Sequence, residues 1–213
     1  ALLVHDVNDL SRSCGRRDQI IATLEDLRGQ GLVKTVGVSA YGADDLLTLE
    51  RVWEFGAVQV PASILDQRLI NDGTIERLKH RGIVVYLRSV FLQGVALLEP
   101  DQLPPHLARL GPAVARLSDK QCNGGHASAL ESCLGYVQNA VNAHFAVVGA
   151  HTPAHLKQTV AAWSAAARSI EHTAYRAVAV SDPALLDPRT WDELSRHDRD
   201  NREEAKVLSG ETT

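Results

Sequence analysis

Methionine is absent from all 213 residues, and the chain opens on the apolar run Ala1-Leu2-Leu3-Val4 rather than on an initiator. That beginning is expected of a piece of something longer. Cysteine is scarce: Cys14, Cys122 and Cys133 form no Cys-x-x-Cys pair. This usage suits a reducing cytoplasm better than a disulfide framework. No apolar run approaches the roughly 18 residues that a membrane helix needs, and the opening run is too short and lacks the basic flank of a signal peptide. Positive charge is not in excess either. With 22 Lys and Arg against 26 Asp and Glu, the net charge is -4, which leaves no basic footprint for nucleic acid. No Gly-x-Gly-x-x-Gly follows a strand, so a Rossmann-type site is not indicated.

What is present is ordinary for a folded domain. Hydrophobic residues make up 45% of the chain and charged residues 23%, enough for a real core in one large domain, with or without an appendage. The most informative stretch runs from Gly82 to Gly94, GIVVYLRSVFLQG. A glycine that can end a helix is followed by apolar, partly β-branched residues, which read as a strand buried on both faces. The stretch then turns polar at Arg88-Ser89. A buried strand that delivers a cation and a hydroxyl at its carboxyl end is how α/β barrels and open α/β sheets build ligand sites.

The same rhythm repeats along the chain. Ala1 to Val4 predicts a strand ending in His5-Asp6. Asp18 is placed to cap a helix with Ile20, Ile21, Leu24 and Leu27 on one face. Thr35 to Val38 is a second strand, followed by a helix with Leu46, Leu49, Val52 and Trp53 inward. Ala57 to Val60 is a third, and Pro61 forbids simple continuation of its ladder. Asp72 is placed to cap a helix with Ile75 and Leu78 inward. After Gly94 the register breaks in a proline-bearing excursion (Pro100, Pro104, Pro105, Pro112), and helical patterns resume at Val114 to Leu117 and Ser128 to Val137. Ala146 to Val148 is the last strand, and Thr152-Pro153 starts a helix carrying Leu156, Val160 and Trp163. From Ser181 onward, prolines and mixed charges (Arg196 to Lys206) predict an appendage with a short exposed helix and a frayed end at Ser209 to Thr213. Strands alternating with amphipathic helices imply βαβ units and a parallel sheet, with every strand's carboxyl end on one side.

Five segments, in order, resemble the aldo-keto reductase family. Leu2-Leu3-Val4-His5 resembles its fourth strand and Gly37-Val38-Ser39 its fifth. Val58-Gln59-Val60-Pro61, continuing to Leu65-Asp66-Gln67-Arg68-Leu69, resembles the sixth strand and its loop. Arg88-Ser89-Val90-Phe91-Leu92-Gln93-Gly94 is similar to the seventh-strand segment of a bacterial branch. Val147 to Leu156 resembles the eighth strand and the cofactor helix. The resemblance implies a partial (β/α)8 TIM barrel of aldo-keto reductase type, starting at the fourth strand. The barrel would occupy residues 1–180, with 181–213 as a carboxyl-terminal extension or tail. A closed barrel has eight units and typically about 250 residues. Three units, on the order of 80 residues, are then expected upstream, unless the chain is a truncated product.

The resemblance also implies roles. His5 matches the catalytic histidine that polarises a substrate carbonyl beside a tyrosine acid. The family's aspartate, tyrosine and lysine belong to the absent units, and neither Tyr86 nor Lys34 replaces them. Ser39 and Gln59 match positions that hydrogen-bond a nicotinamide carboxamide, and Ala40 stands where the family usually has Asn. Arg88 matches the place where many relatives stack an aromatic ring on the nicotinamide. A guanidinium there adds charge, favouring an anionic substrate or cofactor, or else serves a structural salt bridge. Ser89 and Leu92 match contacts to the pyrophosphate. At the helix start, Gly149 replaces a commonly basic residue and His155 stands where Arg is frequent, while Gln158 and Thr159 match adenine contacts. His151 and His155, spaced i and i+4, are assigned structural or phosphate roles rather than a metal.

The implied activity is that of an NAD(P)H-dependent oxidoreductase reducing an aldehyde or ketone, with NADP or NAD as cofactor and a small carbonyl compound as substrate. No nucleic acid or membrane partner is expected, and a homo-oligomer remains open. The 213 residues alone are expected to turn over little or nothing. A non-catalytic nicotinamide-binding barrel, acting as sensor or partner subunit, is the alternative. A Schiff-base lyase or metal-dependent isomerase is disfavoured, because no strand end offers a lysine and Asp6 is the only obvious strand-end carboxylate.

Overall fold

A computed structural model describes residues 1–11, 14–119, 126–141, 143–166 and 173–198. Five parallel strands lie side by side in chain order: β1 (Leu2–Val4), β2 (Val36–Ser39), β3 (Ala57–Pro61), β4 (Val84–Arg88) and β5 (Phe145–Ala146). Each neighbouring pair is parallel, with helical connections between strands, as sequential βαβ crossovers require. Among the described residues β1 and β5 each have one strand neighbour, so the sheet is an open arc rather than a closed barrel.

The alternation along β4 shows what the two faces meet. Val85 and Leu87 are fully buried beneath the helices, whereas Val84, Tyr86 and Arg88 are half-exposed. The expectation of burial on both faces therefore holds for one face only. The inner face stays accessible because the arc does not close over it. Tyr86 stacks on Phe145 there, with ring centroids 4.9 Å apart. On the helix side, Val36, Val38, Val58, Val60, Val85 and Leu87 all have zero exposure and form the core on which the fold rests.

Gly37 fixes the spacing between strands. A Cβ there would lie 1.8 Å from the Ala57 carbonyl oxygen and 3.0 Å from Leu3 Cδ2, so only glycine lets β2 sit between its neighbours. Gly82, at φ 74°, supplies the left-handed turn from which β4 begins.

The outer helices lie against one another in chain order. The Trp53 indole N–H donates to Glu25 Oε1 at 2.9 Å, joining the connection after helix Ala43–Leu49 to helix Cys14–Gly29. Glu50 accepts from Arg77 at 2.6 Å and also pairs with Arg81, tying that connection to helix Thr74–His80. The Asp72 carboxylate accepts from the Thr74 amide at 2.8 Å, but the N-cap is Gly73, at φ 76°, so Asp72 lies one residue before the capping position that the sequence predicts for it.

Several boundaries differ from expectation. The first long helix begins at Cys14, so Asp18 lies inside it and does not cap it. Val52 is exposed, because that helix ends at Leu49 before the apolar spacing can carry Val52 inward. β3 includes Pro61, and the next donor, the Ala62 amide, resumes the ladder to the Arg88 carbonyl at 3.2 Å. β5 is two residues long and starts at Phe145. Helix Pro153–Ala166 turns its large apolar residues outward. Leu156, Val160 and Trp163 are 55%, 57% and 40% exposed, and its buried residues are Ala162 and Ala166. Small side chains let this helix approach the segment at 137–141, where the Gln138 and Asn139 amides donate to the carbonyls of Trp163 and Ala166.

The described part of the carboxyl-terminal segment packs back onto the sheet. The Val180 amide donates to the Leu65 carbonyl at 2.9 Å, Leu185 and Leu186 are buried, and Asp182 pairs with Arg109 at 2.9 Å. Residues 191–198 are helical. The end expected to fray, Ser209 to Thr213, lies outside the described residues, as does the charged run beyond Asp198.

Candidate functional site

The parallel register puts chemistry at one level of the inner face. Ser39 pairs with Gln59, Gln59 with Tyr86 and Tyr86 with Phe145. Side chains paired in this way project on the same side of the sheet. The Ser39 hydroxyl accordingly reaches Gln59 Oε1 at 3.4 Å. Arg88, two residues beyond Tyr86, follows on the same face at the strand's carboxyl end.

A cleft of about 960 Å³ opens along these ends. His5 and Asp6 enter it from β1, Ser39 and Tyr41 from β2, and Arg88 to Gly94 from the turn after β4. Val147, Val148 and Gly149 line it after β5, and His151, His155, Gln158 and Thr159 bring in the start of helix Pro153–Ala166. That helix start is formed as its sequence predicts: Thr152 Oγ1 accepts from the His155 amide at 3.1 Å, and Pro153 occupies the first helical position.

Nine of the residues singled out in the sequence thus share one cleft: His5, Ser39, Arg88, Ser89, Gly149, His151, His155, Gln158 and Thr159. Two others stand back from it. Gln59 lies behind Ser39 and reaches the cleft through it. Leu92 is 1% exposed within the core, and its amide donates to the Ser89 carbonyl at 2.8 Å. Leu92 therefore shapes the turn from behind.

That turn is strained. Ser89, Leu92 and Gln93 hold φ values of 57°, 45° and 57°, followed by Gly94 at 91°. A left-handed conformation costs a non-glycine residue about 1 kcal/mol or more, and such residues gather where a site needs a particular backbone path. In this case the path holds Ser89 at the cleft mouth while Leu92 anchors the loop below.

Two cleft residues escaped the sequence reading. Tyr41, just past β2, lies under the Arg88 guanidinium, 3.8 Å from ring centroid to Cζ. Arg189, from the carboxyl-terminal segment, stacks on the same ring at 3.4 Å. Two groups this near one centroid must occupy opposite faces, so the order is Arg88, Tyr41, Arg189. Asp187 then forks onto Arg189, at 2.9 Å to Nε and 2.7 Å to Nη2. Burial lowers the Arg88 pKa from its ordinary range, and the charge of Arg189 adds to that. Burial would raise the Asp187 carboxyl, but the hydrogen bonds from Arg189 outweigh it and hold that carboxyl below its usual range. Only the aromatic character of Tyr41 and the arginine two residues after Asp187 hinted at this stack, and neither places one beside the other.

Among the described residues no three His, Cys, Asp or Glu side chains gather as metal ligands would. No helix among them is long and apolar enough to cross a membrane.

Comparison with known proteins gives a consistent result. The solved aldo-keto reductase AKR11C1 of Bacillus halodurans, in its holo form, superimposes with a TM-score of 0.58 at 18% identity, covering 80% of this chain and 56% of that one. Aldose reductase of Giardia lamblia superimposes with a TM-score of 0.51 at 16% identity, covering 83% and 55%. At such identities the likeness is one of fold, and the chain spans little more than half the length of either protein. Comparison with curated proteins finds no match. The sequence profile of the aldo/keto reductase family matches residues 1–179. The chain belongs to the aldo/keto reductase family.

Proposed function

We propose that this chain forms the nucleotide-binding side of an NAD(P)H-dependent carbonyl reductase. The observation that carries the reading is the single cleft at the strand carboxyl ends, which gathers His5, Ser39, Arg88, Ser89 and the amino-terminal turn of helix Pro153–Ala166. Its volume of about 960 Å³ lies near the upper end of ligand sites, as a dinucleotide would need. The donor set is compatible as well. The Ser39 hydroxyl lines the cleft and, donating to Gln59 Oε1 behind it, leaves its oxygen to accept from a carboxamide N–H. Exposed amides at the start of a 14-residue helix suit a phosphate.

A nicotinamide nucleotide, when bound, supplies the hydride. The chain's own contribution is binding and orientation. Ser39, held by Gln59 behind it, would fix the rotation of the carboxamide, and Ser89 with the turn after β4 would confine the neighbouring phosphates. The His5 imidazole, at the end of β1, is placed to hydrogen-bond a substrate carbonyl oxygen and draw electron density from its carbon. No lysine lines the cleft among the described residues, and Tyr41 is covered on both ring faces by guanidinium groups. The 213 residues alone are therefore expected to bind nucleotide with little turnover. Expression in a cytoplasmic, reducing compartment agrees with a buried free Cys133.

The test is nucleotide fluorescence titration of this chain, combined with carbonyl-dependent NADPH and NADH oxidation by the chain and by an upstream-extended form. Binding by both, with turnover only in the extended form and at least about 100-fold loss in its His5→Ala variant, is expected. Strong turnover by the 213 residues alone would overturn these roles. Binding without turnover in the extended form would favour the sensor or partner-subunit alternative.

A further inference from the structure

The cleft contains a cation that no carboxylate among the described residues pairs. Arg68, Arg77, Arg81, Arg109 and Arg189 each meet an Asp or Glu carboxylate. Arg88 forms no ion pair among the described residues. Its hydrogen bonds, from Nη1 to Ser89 Oγ and from Nη2 to the Ala40 carbonyl, are both long at 3.4 Å. The charged or titratable groups that act on it are Tyr41, Arg189 and Asp187, and Asp187 is already forked on Arg189. The carboxylate that lines the cleft, Asp6, lies beyond β1, three strands from β4. It accepts from the Asn8 amide and side chain at 2.9 Å. Among the described residues Arg88 thus makes no structural salt bridge, one of the two roles open to it from sequence.

Holding a half-buried guanidinium without a counter-charge is costly unless something else supplies one. Meanwhile its direction is fixed. Tyr41 lies flat against it, Arg189 backs Tyr41, and Asp187 locks Arg189. A guanidinium restrained on one face, with only long bonds to Ser89 Oγ and the Ala40 carbonyl at its terminal nitrogens, has N–H donors left for a carboxylate or phosphate oxygen pair.

We propose that the cleft takes an oxyanion-bearing ligand that forks onto Arg88, supplied by a carbonyl substrate carrying a carboxylate. Tyr41 and Arg189 act as positioning residues that aim the guanidinium. The substrate assignment rests on the reductase reading above, whereas the anion site itself rests on the stack. The segment around Arg189 thereby becomes part of the specificity of the site.

Isothermal titration of the 213-residue chain tests this with benzoate and its neutral counterpart benzamide, with inorganic pyrophosphate and with NADPH. Benzoate is expected to bind about tenfold more tightly than benzamide. The preference should vanish in Arg88→Gln, return only in part in Arg88→Lys, and weaken about threefold in Tyr41→Ala and Arg189→Gln, with the affinity for neutral benzamide held within about twofold in all four variants. Should the variants fold poorly, phenylglyoxal labelling of Arg88 in the unaltered chain, read by peptide mass, should slow when benzoate is present. If pyrophosphate and NADPH lose about tenfold in Arg88→Gln while benzoate equals benzamide, the anion belongs to the cofactor and the substrate assignment falls. If no anion responds to Arg88 by either measurement, the whole proposal is overturned. A benzoate preference that survives while NADPH fails to bind would sink the nucleotide reading and leave the anion site standing.

Discussion

Replacing Gly37 by alanine puts the architecture to its hardest local test. The added methyl would begin 1.8 Å from the Ala57 carbonyl oxygen and 2.6 Å from its carbon, where ordinary contact needs at least 3.4 Å. Both are backbone atoms of the adjacent strand, so no side chain can swing away. Relief requires β2 and β3 to separate by a good part of that difference. The hydrogen bonds from the Ala40 amide to the Gln59 carbonyl (2.9 Å) and from the Gly56 amide to the Val36 carbonyl (3.0 Å) would stretch past useful length. Each is worth about 1 kcal/mol net, and more when its groups stay buried and unpaired. Val36, Val38 and Val58, all at zero exposure, would lose packing as well. The sum is about 4 kcal/mol, a large share of a typical domain's 5–15 kcal/mol. Urea unfolding followed by far-ultraviolet circular dichroism reads it directly. Gly29→Ala is the control, since a Cβ there meets nothing within 4 Å and should shift stability by no more than about 1 kcal/mol. A Gly37→Ala chain within about 1 kcal/mol of its parent would refute the claimed close approach of the strands.

Other consequences follow from single contacts. Arg68 forks onto the nearly buried Asp66 through Nε and Nη2, both at 2.8 Å, so Arg68→Ala should cost about 2–3 kcal/mol in the same unfolding assay by stranding that carboxylate. Asp72→Ala removes the acceptor for the Thr74 amide and should cost about 1 kcal/mol. Burial pushes the Cys133 thiol from 9.0 up to about 12. The folded chain therefore keeps that proton where the unfolded chain releases it. Stability linked to Cys133 is intact below pH 9.0 and falls as pH rises from there toward 12, by up to about 1.4 kcal/mol per unit. Unfolding measured at pH 8 to 11 should thus show a shallower alkaline loss in Cys133→Val than in the parent, and equal slopes would contradict it.

How much of this could be read from sequence depended on the distance over which each feature is determined. The strand order, the carboxyl-end placement of His5, Ser39 and Arg88 and the Thr152-Pro153 helix start are set by neighbours in the chain, and all appear where the pattern puts them. Sequence spacing alone does not decide which face helix Pro153–Ala166 buries. Ala162 and Ala166 pack inward, and Leu156, Val160 and Trp163 lie outside. The Tyr41–Arg189 contact was illegible for another reason: it joins distant segments through a fold-back begun by the Val180–Leu65 hydrogen bond. By resemblance Ser89 and Leu92 match hydroxyl and backbone contacts to the pyrophosphate; Leu92 has a positive φ and its side chain lies in the core.

The central claim is that one cleft, built from the ends of successive strands, holds a nicotinamide nucleotide. Hydrogen–deuterium exchange of the 213-residue chain with and without NADPH tests it most directly. Protection should appear together at the amides of residues 88–94 and 147–159 and at the end of β2, with the outer helices from Cys14 to Gly29 and Thr74 to His80 unchanged. Saturating nucleotide that protects none of these segments, or protects only the outer helices, would contradict it.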